Sequence, residues 1–191
     1  LEQVMSDYRP SSELMRLCAL AGSGPVEVSS DLYKVIAYSL DVSHHSYGAF
    51  DVTASPVVRL WREARRTGVM PTPDVRKSAL EKVGYQKVSL SALHQTVTLH
   101  QPDMQLDLGG IAKGYANDEA LKVFSQYSVA SAMVEAGGDI SVSGAPPETQ
   151  GWVIKVRGQT DPIYLSHASV STSGDAEQFV EIDGARYSHV V

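Results

Sequence analysis

Cysteine is nearly absent from this sequence, because Cys18 is the only one among 191 residues. A single thiol cannot form a disulfide within the chain, so the cysteine content leaves the redox compartment open. No apolar run approaches the roughly 20 residues that a membrane-spanning helix needs. The chain also begins at Leu1 without a signal-like segment and stops at Val191 inside a strand-like segment. We therefore expect both ends of the natural protein to lie outside this sequence.

An excess of basic residues is also missing. The formal net charge is -6, and no basic run interrupts the acidic balance, which argues against nucleic acid as a partner. The hydrophobic fraction of 43% and the charged fraction of 20% are ordinary for a globular protein. The length suffices for one domain or two small ones with a sizeable core. The sequence contains no internal repeat and no low-complexity tract.

Caps and apolar spacing indicate several helices in the first half of the chain. Ser11 and Ser12 are candidate caps that precede a helical spacing of Leu14, Leu17 and Cys18. A second helix is expected from Ser30, with an apolar stripe formed by Leu32, Val35, Ile36 and Leu40. A further helix is expected to open near Pro56 and to end within residues 61–66. Polar loops are expected over residues 43–48 and 67–74.

Strand patterns are more frequent in the second half. Residues 85–90 and 96–99 are expected to pair as strands, and residues 104–108 alternate as a strand does. From Ile111 the apolar period changes to that of a helix. Further strands are expected over residues 132–135 and 140–142, which flank Gly137-Gly138, and over residues 152–156. Strands and helices mix without a strict βαβ rhythm, which indicates an α+β protein.

Asp183-Gly184 is a strong signal for a two-residue hairpin turn. Such a turn pairs Ile182 with Ala185, Glu181 with Arg186, and Val180 with Tyr187. One face of the hairpin then carries Val180, Ile182, Tyr187, His189 and Val191. A histidine on an apolar face is usually a satisfied core residue, whereas near a substrate it is a candidate base or hydrogen-bond partner.

The segment LDLGGIAKGYAND, residues 106–118, combines a strand, a Gly-Gly turn and the start of a helix. Glycine permits close approach to a ligand, and the free amides of a helix N-terminus attract anions. Lys113 would add a positive charge. However, the order of residues is not that of a Walker A loop, and GxGxxG is absent. The segment is therefore either a phosphate site or a tight structural corner.

Other polar residues also have two interpretations. Asp107 is either a solvated strand residue or part of a site. Asp51 or Thr53 would ordinarily cap a helix that begins nearby. The hydroxyl-rich residues 171–175 are typical of a turn or a cap. His44 and His45 lack the further spacing that a metal site requires.

Taken in order, these segments resemble the ApbE family, the flavin transferases that use FAD to attach FMN covalently to other proteins. The segments that carry the resemblance run from Met5 to Val191 and read MSDYRPSSELMRL, GAFDVTASPVVRLW, LDLGGIAKGYAND, VEAGGDISVSG, and STSGD followed by DGARYSHVV. The resemblance implies an α+β fold of mixed, mainly antiparallel sheets packed with helices. It also implies a single domain over residues 1–191 that lacks both family termini.

The resemblance implies a site for FAD as substrate, with Mg²⁺ as cofactor. It places at FAD the residues Tyr8, Ala49, Phe50, Asp51, Asp107 and Lys113. Thr172 and Ser173 correspond to the family's TSG segment, and His189 to a histidine beside the flavin nucleotide. Gly110 corresponds to the residue whose backbone carbonyl binds Mg²⁺, while the family's other metal ligands lie beyond Val191. The chain departs from the family at Cys18, where asparagine is usual.

The activity implied is Mg²⁺-dependent transfer of FMN from FAD to a Thr or Ser hydroxyl of a target flavoprotein, releasing AMP. His189 is one candidate for the base that activates the hydroxyl, and a carboxylate beyond the chain is another. The alternatives are an FAD pyrophosphatase and a non-catalytic flavin-binding module. Family members are commonly exported, so we expect the periplasm or the outer side of the bacterial cytoplasmic membrane, with any lipid anchor outside this chain.

Overall fold

The chain forms short helices and short strands, which the computed structural model describes over residues 1–172, 179–182 and 185–188. In chain order the helices are α1 (Glu2–Met5), α2 (Glu13–Ala19), α3 (Ser30–His45), α4 (Ser55–Thr67), α5 (Pro73–Leu80) and α6 (Ala112–Gln126). Single 3₁₀ turns lie at Val52–Ala54 and Tyr85–Lys87.

The strands assemble into small antiparallel sheets. They are β1 (Val26–Glu27), β2 (Val88–Ser91), β3 (Thr96–Leu99), β4 (Met133–Ala136), β5 (Asp139–Val142), β6 (Trp152–Ile154), β7 (Ile163–Leu165), β8 (Ala168–Val170), β9 (Phe179–Ile182) and β10 (Ala185–Ser188). The sheets have the strand orders β1-β3-β2, β4-β5-β8, β6-β7 and β10-β9. The α+β class with mainly antiparallel sheets packed with helices is confirmed.

Two compact units divide the chain. Unit 1 consists of Leu1–Gly110 and Gly174–Val191, and unit 2 of Ile111–Ser173. The interpretation of residues 1–191 as one domain that lacks both family termini stays a prediction. None of the helices in the described ranges combines the length and the apolar character required to cross a bilayer.

Serine side chains cap both α2 and α3; the cap of α2 is Ser12, one of its two candidates in the sequence, whereas Ser29 was not predicted as a cap. Ser12 Oγ accepts a hydrogen bond from the Met15 N–H at 3.1 Å, and Ser29 Oγ accepts one from Leu32 at 3.3 Å. Each bond satisfies one of the backbone donors that a helix start leaves without a partner. The stripe of α3 is buried at Leu32, Val35 and Ile36, but Leu40 is only half-buried.

The end of α3 differs from the prediction of a polar loop over residues 43–48, because the helix continues to His45. Ser39 and Ser43 are fully buried on it, and each hydroxyl donates to the carbonyl four residues earlier. These bonds allow two polar residues to continue the buried stripe. His44 and His45 therefore lie in the last turn of a helix.

Helix α5 was missed by the prediction of a loop over residues 67–74. Thr72 caps it by accepting from the Val75 N–H, and Pro73 occupies the first helical position. Proline is favoured there because its missing N–H has no intrahelical partner to lose. The sequence Thr72-Pro73-Asp74 is itself a helix-start signal. The loop prediction came from the prolines and the glycine of residues 67–74 taken together.

Residues 104–108 are not a strand in the structure, although their burial alternates as predicted. Met104, Leu106 and Leu108 are buried, while Gln105 and Asp107 are partly exposed. Its backbone N–H groups bond to isolated partners: the Asp107 N–H donates to the Val52 carbonyl at 2.8 Å, and the Leu106 N–H donates to the Cys18 sulfur at 3.4 Å. Alternating burial therefore reports two faces and not ladder pairing.

The hairpin of β9 and β10 has the predicted register, with Ile182 opposite Ala185, Glu181 opposite Arg186, and Val180 opposite Tyr187. Ile182 is buried with Ala64 of α4, and Tyr187 packs against the same cluster beside Trp61. The ring centroids of Trp61 and Tyr187 are 5.8 Å apart. The turn residues Asp183-Gly184 lie outside the described residues.

In unit 2, α6 packs on the hairpin of β4 and β5. Ala136 pairs with Asp139, so Gly137-Gly138 forms a two-residue turn. Both glycines have positive φ angles, +56° and +89°. A type I′ turn requires this sign at both central positions, which explains the Gly-Gly pair.

Replacing Gly138 with alanine tests this turn, since a Cβ there would meet no atom within 4 Å and only the φ angle opposes it. We expect Gly138→Ala to lower the free energy of unfolding by roughly 1–2 kcal/mol. Gly114→Ala is the matched control, because Gly114 lies in α6 with open space at its Cβ position, and it should raise stability by roughly 0.5 kcal/mol. Denaturant unfolding measures both. Shifts of the same sign would contradict the assignment.

Candidate functional site

Arg62 of α4 brings together two carboxylates that are distant in sequence. Its Nη1 lies 2.5 Å from Asp7 Oδ2, and its Nη2 lies 2.9 Å from Asp107 Oδ2. The side chains of Asp7 and Asp107 are 9% and 14% exposed, so both carboxylates are largely removed from water. A shared guanidinium offsets part of their mutual repulsion and of their lost hydration.

Tyr8 stacks on the same guanidinium. The Cζ of Arg62 lies 4.8 Å from the centre of the Tyr8 ring, and Tyr8 is 75% exposed. Burial lowers the pKa of Arg62, but its hydrogen bond to Asp7 and the charges of Asp7, Asp107 and Tyr8 outweigh burial and raise the pKa above its ordinary value. Arg62 is therefore a permanent cation beneath an exposed aromatic ring.

Asp107 uses both carboxylate oxygens. While Oδ2 accepts from Arg62, Oδ1 accepts from the Gly109 N–H at 2.8 Å and fixes the turn that follows. A Cβ at Gly109 would lie 2.9 Å from Oδ1, so glycine is needed for this close approach. Asp107 is thus a paired, largely buried carboxylate and not a solvated strand residue.

Phe50 contacts the second glycine of the turn. A Cβ at Gly110 would lie 3.1 Å from Phe50 Cε2, so the ring packs directly against the Gly110 backbone. Phe50 is half-buried, whereas Ala49 beside it is exposed. Unit 1 therefore brings together Tyr8, Phe50, Asp107 and Gly110 through α4 and this turn.

Asp51 caps the 3₁₀ turn Val52–Ala54, as the sequence indicated. Its Oδ1 accepts from the backbone N–H and the hydroxyl of Thr53, at 2.8 and 2.6 Å. Its Oδ2 accepts from the Tyr85 N–H at 2.9 Å, and the Thr53 hydroxyl oxygen accepts from the Gly84 N–H at 2.7 Å. The carboxylate thus joins two segments of unit 1.

A second polar cluster lies in unit 2 around Asp139. Lys113 Nζ of α6 lies 2.9 Å from Asp139 Oδ2 and donates to the Gly137 carbonyl at 3.4 Å. The Ser171 hydroxyl donates to Asp139 Oδ1 at 2.5 Å. The buried Asn117 donates to the Asp139 carbonyl at 2.8 Å. The Lys113 side chain remains 44% exposed despite these contacts.

The residues selected from the sequence are therefore distributed over both units. Tyr8, Ala49, Phe50, Asp51, Asp107 and Gly110 belong to unit 1, whereas Lys113 and Thr172 belong to unit 2. Thr172 is exposed, following β8. Ser173 and His189 lie outside the described residues, so their assigned roles stay predictions.

Sequence reasoning did not single out Arg62 or Asp139, whose contacts join residues that it did select. Arg62 lies among several arginines of α4, and its partners are 55 and 45 residues away. No local spacing distinguishes it from Arg65 or Arg66. Asp139 carried one signal, because it follows a glycine pair at the start of a strand.

The described residues do not assemble a set of metal ligands. No group of three or more His, Cys, Asp or Glu side chains within them is placed to hold a metal ion. The oxygens of Asp51, Asp107 and Asp139 are already bonded as described above. Gly110 would contribute at most one backbone carbonyl, so these residues alone do not fit a complete Mg²⁺ site.

Small antiparallel sheets packed with helices define an α+β protein. The sequence profile of the ApbE family matches residues 1–191. The chain belongs to the ApbE family.

Curated relatives are named FAD:protein FMN transferase. The protein from Treponema pallidum is 35% identical over 210 residues, spanning 100% of this chain and 58% of its own length. The protein from Haemophilus influenzae is 32% identical over 200 residues, spanning 98% of this chain and 58% of its own length. The chain thus spans less than two thirds of the length of these relatives.

Solved structures of the family are similar as well. The apo flavinyl transferase ApbE of Pseudomonas stutzeri has a TM-score of 0.86 at 29% identity, over 99% of this chain and 60% of that one. The flavin transferase ApbE of Vibrio cholerae has a TM-score of 0.86 at 30% identity, over 98% of this chain and 62% of that one.

The network of Asp51 predicts a structural effect of its loss. Asp51→Ala leaves the Tyr85 and Thr53 donors without their acceptor, so we expect a loss of about 2–3 kcal/mol in the free energy of unfolding. Asp74→Ala, at the exposed start of α5, should cost roughly 0.5 kcal/mol or less. Chemical denaturation compares the two. Equal losses would show that the Asp51 contacts add nothing beyond an end-of-helix charge.

Proposed function

We propose that the natural protein containing this chain is an FAD:protein FMN transferase. The observation that carries the proposal is the family match over residues 1–191, together with curated relatives of that name at 35% and 32% identity. In the proposed reaction, a Thr or Ser hydroxyl of a target flavoprotein attacks the phosphorus on the FMN side of FAD. A new O–P bond forms, the pyrophosphate P–O bond breaks, AMP leaves, and a base takes the hydroxyl proton.

Unit 2 supports the proposal by presenting a half-exposed ammonium at the start of a helix. Lys113 lies in the first turn of α6, with its ammonium held by Asp139 and 44% exposed. The side chain of Ile111 makes no capping hydrogen bond at that helix start. First-turn amides and an adjacent cation together favour a negatively charged ligand. We assign Lys113 to the pyrophosphate of FAD, and Thr172 and Ser173 to the same nucleotide by resemblance.

Unit 1 supports the proposal by offering aromatic and polar groups to a nucleotide. Tyr8 exposes 75% of its surface above Arg62, and Phe50 lies against Gly110. Exposed aromatic rings suit planar ligands such as flavin or adenine. By resemblance, we assign Tyr8, Ala49, Phe50, Asp51 and Asp107 to FAD. His189 is the proposed base, and a carboxylate outside this chain is the alternative.

We also propose that the transfer depends on Mg²⁺. The support is the resemblance, which assigns the Gly110 carbonyl to the ion, and the preference of Mg²⁺ for few protein ligands together with phosphate and water. When bound, such an ion supplies charge stabilisation at the phosphate oxygens. The described residues do not complete its ligand set.

The transfer itself is tested by incubating the natural protein with FAD, Mg²⁺ and a flavoprotein that carries an acceptor threonine. We expect the acceptor to gain the mass of one FMN and AMP to be released, with no modification when that threonine is replaced by valine. Mass spectrometry and chromatography measure both products. Free FMN and AMP without modified acceptor would indicate a pyrophosphatase, and FAD binding without turnover a non-catalytic flavin-binding module. A chelator should abolish the transfer.

Lys113→Gln tests the phosphate assignment. Because a half-exposed ammonium is partly screened by water and salt, we expect its loss to raise the KM for FAD about fivefold to tenfold. Lys122→Gln on the same helix is the matched control, since Lys122 pairs with Glu119 farther from the helix start. An unchanged KM in Lys113→Gln would remove this residue from the site.

Location outside the cytoplasm is proposed on resemblance alone. We propose that the protein acts in the periplasm or at the outer side of the bacterial cytoplasmic membrane, with any lipid anchor outside this chain. Fractionation of cells expressing the natural gene tests the proposal, and recovery in the cytoplasmic fraction would contradict it.

A further inference from the structure

Both terminal nitrogens and the plane of the Arg62 guanidinium have contacts. One terminal nitrogen binds Asp7 at 2.5 Å, the other binds Asp107 at 2.9 Å, and the guanidinium plane faces the Tyr8 ring at 4.8 Å. These partners come from the loop after α1 and from the segment before the Gly-Gly turn. A single side chain of α4 therefore links two separate parts of unit 1.

The arrangement requires arginine in particular. The two terminal nitrogens are fixed in one plane, so they can reach two carboxylates while the face of the group stays available to an aromatic ring. A lysine ammonium is a point charge and would hold one carboxylate well at most. The carboxylates of Asp7 and Asp107 are largely buried, and without a shared cation they would repel each other.

Both partners lead on to groups that a ligand can meet. Asp107 fixes the Gly109-Gly110 turn, because its Oδ1 accepts a hydrogen bond from the Gly109 N–H at 2.8 Å. The Gly110 backbone then lies against Phe50. Tyr8 is 75% exposed and would sample several rotamers if nothing lay beneath it. The guanidinium supports one face of the ring and leaves the remainder exposed.

We propose that Arg62 is a positioning residue for the flavin nucleotide, which fixes the Tyr8 ring and the Asp107-held turn before FAD binds. The inference rests on the proposed function for the identity of the ligand. Arg62 acts through its neighbours and holds no reacting atom. Loss of this preorganisation adds an ordering cost to binding, so it weakens FAD affinity and raises KM while kcat changes little.

The test compares Arg62→Gln and Arg62→Lys with Arg65→Gln in the natural, full-length protein. Arg65 lies on the same helix and is exposed, so its replacement removes the same charge without the bridge. We expect Arg62→Gln to weaken FAD binding about tenfold, as the loss of a charge-assisted hydrogen-bond network does. Arg62→Lys should recover little of that loss, and Arg65→Gln should bind as the wild type does. Titration of FAD by fluorescence gives each Kd.

A double-mutant cycle separates positioning from general destabilisation. Replacing Tyr8 with leucine should weaken binding, and adding Arg62→Gln in that background should cost clearly less than it does in the wild type. Thermal melts of each variant record any loss of folding. If Arg62→Gln does not fold, the Kd of Arg62→Lys is compared with that of the wild type instead. A weaker Kd supports the inference, and an equal Kd contradicts it.

Three results overturn the inference: an Arg62→Gln Kd equal to that of the wild type, full recovery by lysine, or strict additivity with the Tyr8 variant. Its failure is distinguishable from that of the proposed function. FAD binding that depends on Arg62 without transfer activity removes the function and supports the inference. Transfer activity together with normal FAD binding by the Arg62 variants supports the function and removes the inference. A wild type that fails to bind FAD overturns both.

Discussion

The hydrogen bonds to both carboxylate oxygens of Asp107 are the constraint on which the Gly109-Gly110 turn depends. One oxygen is held by Arg62 and the other accepts the Gly109 N–H, while the backbone N–H of Asp107 itself bonds Val52. Asp107 therefore connects helix α4, the 3₁₀ turn Val52–Ala54 and the Gly109-Gly110 turn. Because that carboxylate is largely buried, losing either partner would leave part of its charge without compensation.

Asp51 and Asp139 are used in the same way within their own units. Each engages both carboxylate oxygens, Asp51 with backbone donors and a hydroxyl, and Asp139 with Lys113 and Ser171. Such bonds fix the side chains in place, which lets a site form on short helices and turns. A metal ion at any of these carboxylates would have to compete with bonds that the fold already uses.

Several parts of this arrangement could be predicted because their signals are local. The Ser12 cap, the Asp51 cap and the α3 stripe depend on residues within one or two turns. The register of β9 and β10 followed from one turn dipeptide, since the side-chain period of two fixes every pair once the turn is placed. Local signals can also be overruled, as the continuation of α3 to His45 shows.

The sequence by itself determined the α+β class, the family and the alternation of buried residues around Asp107. Only the tertiary structure decided that this segment pairs with no strand of the described residues, that Arg62 is its partner, and that Asp139 holds Lys113. The partners of Arg62 lie 45 and 55 positions away in the sequence. These contacts therefore depend on how the chain folds back and on which charges are then buried together. Periodicity records which face is apolar, whereas the choice of partner requires the folded geometry.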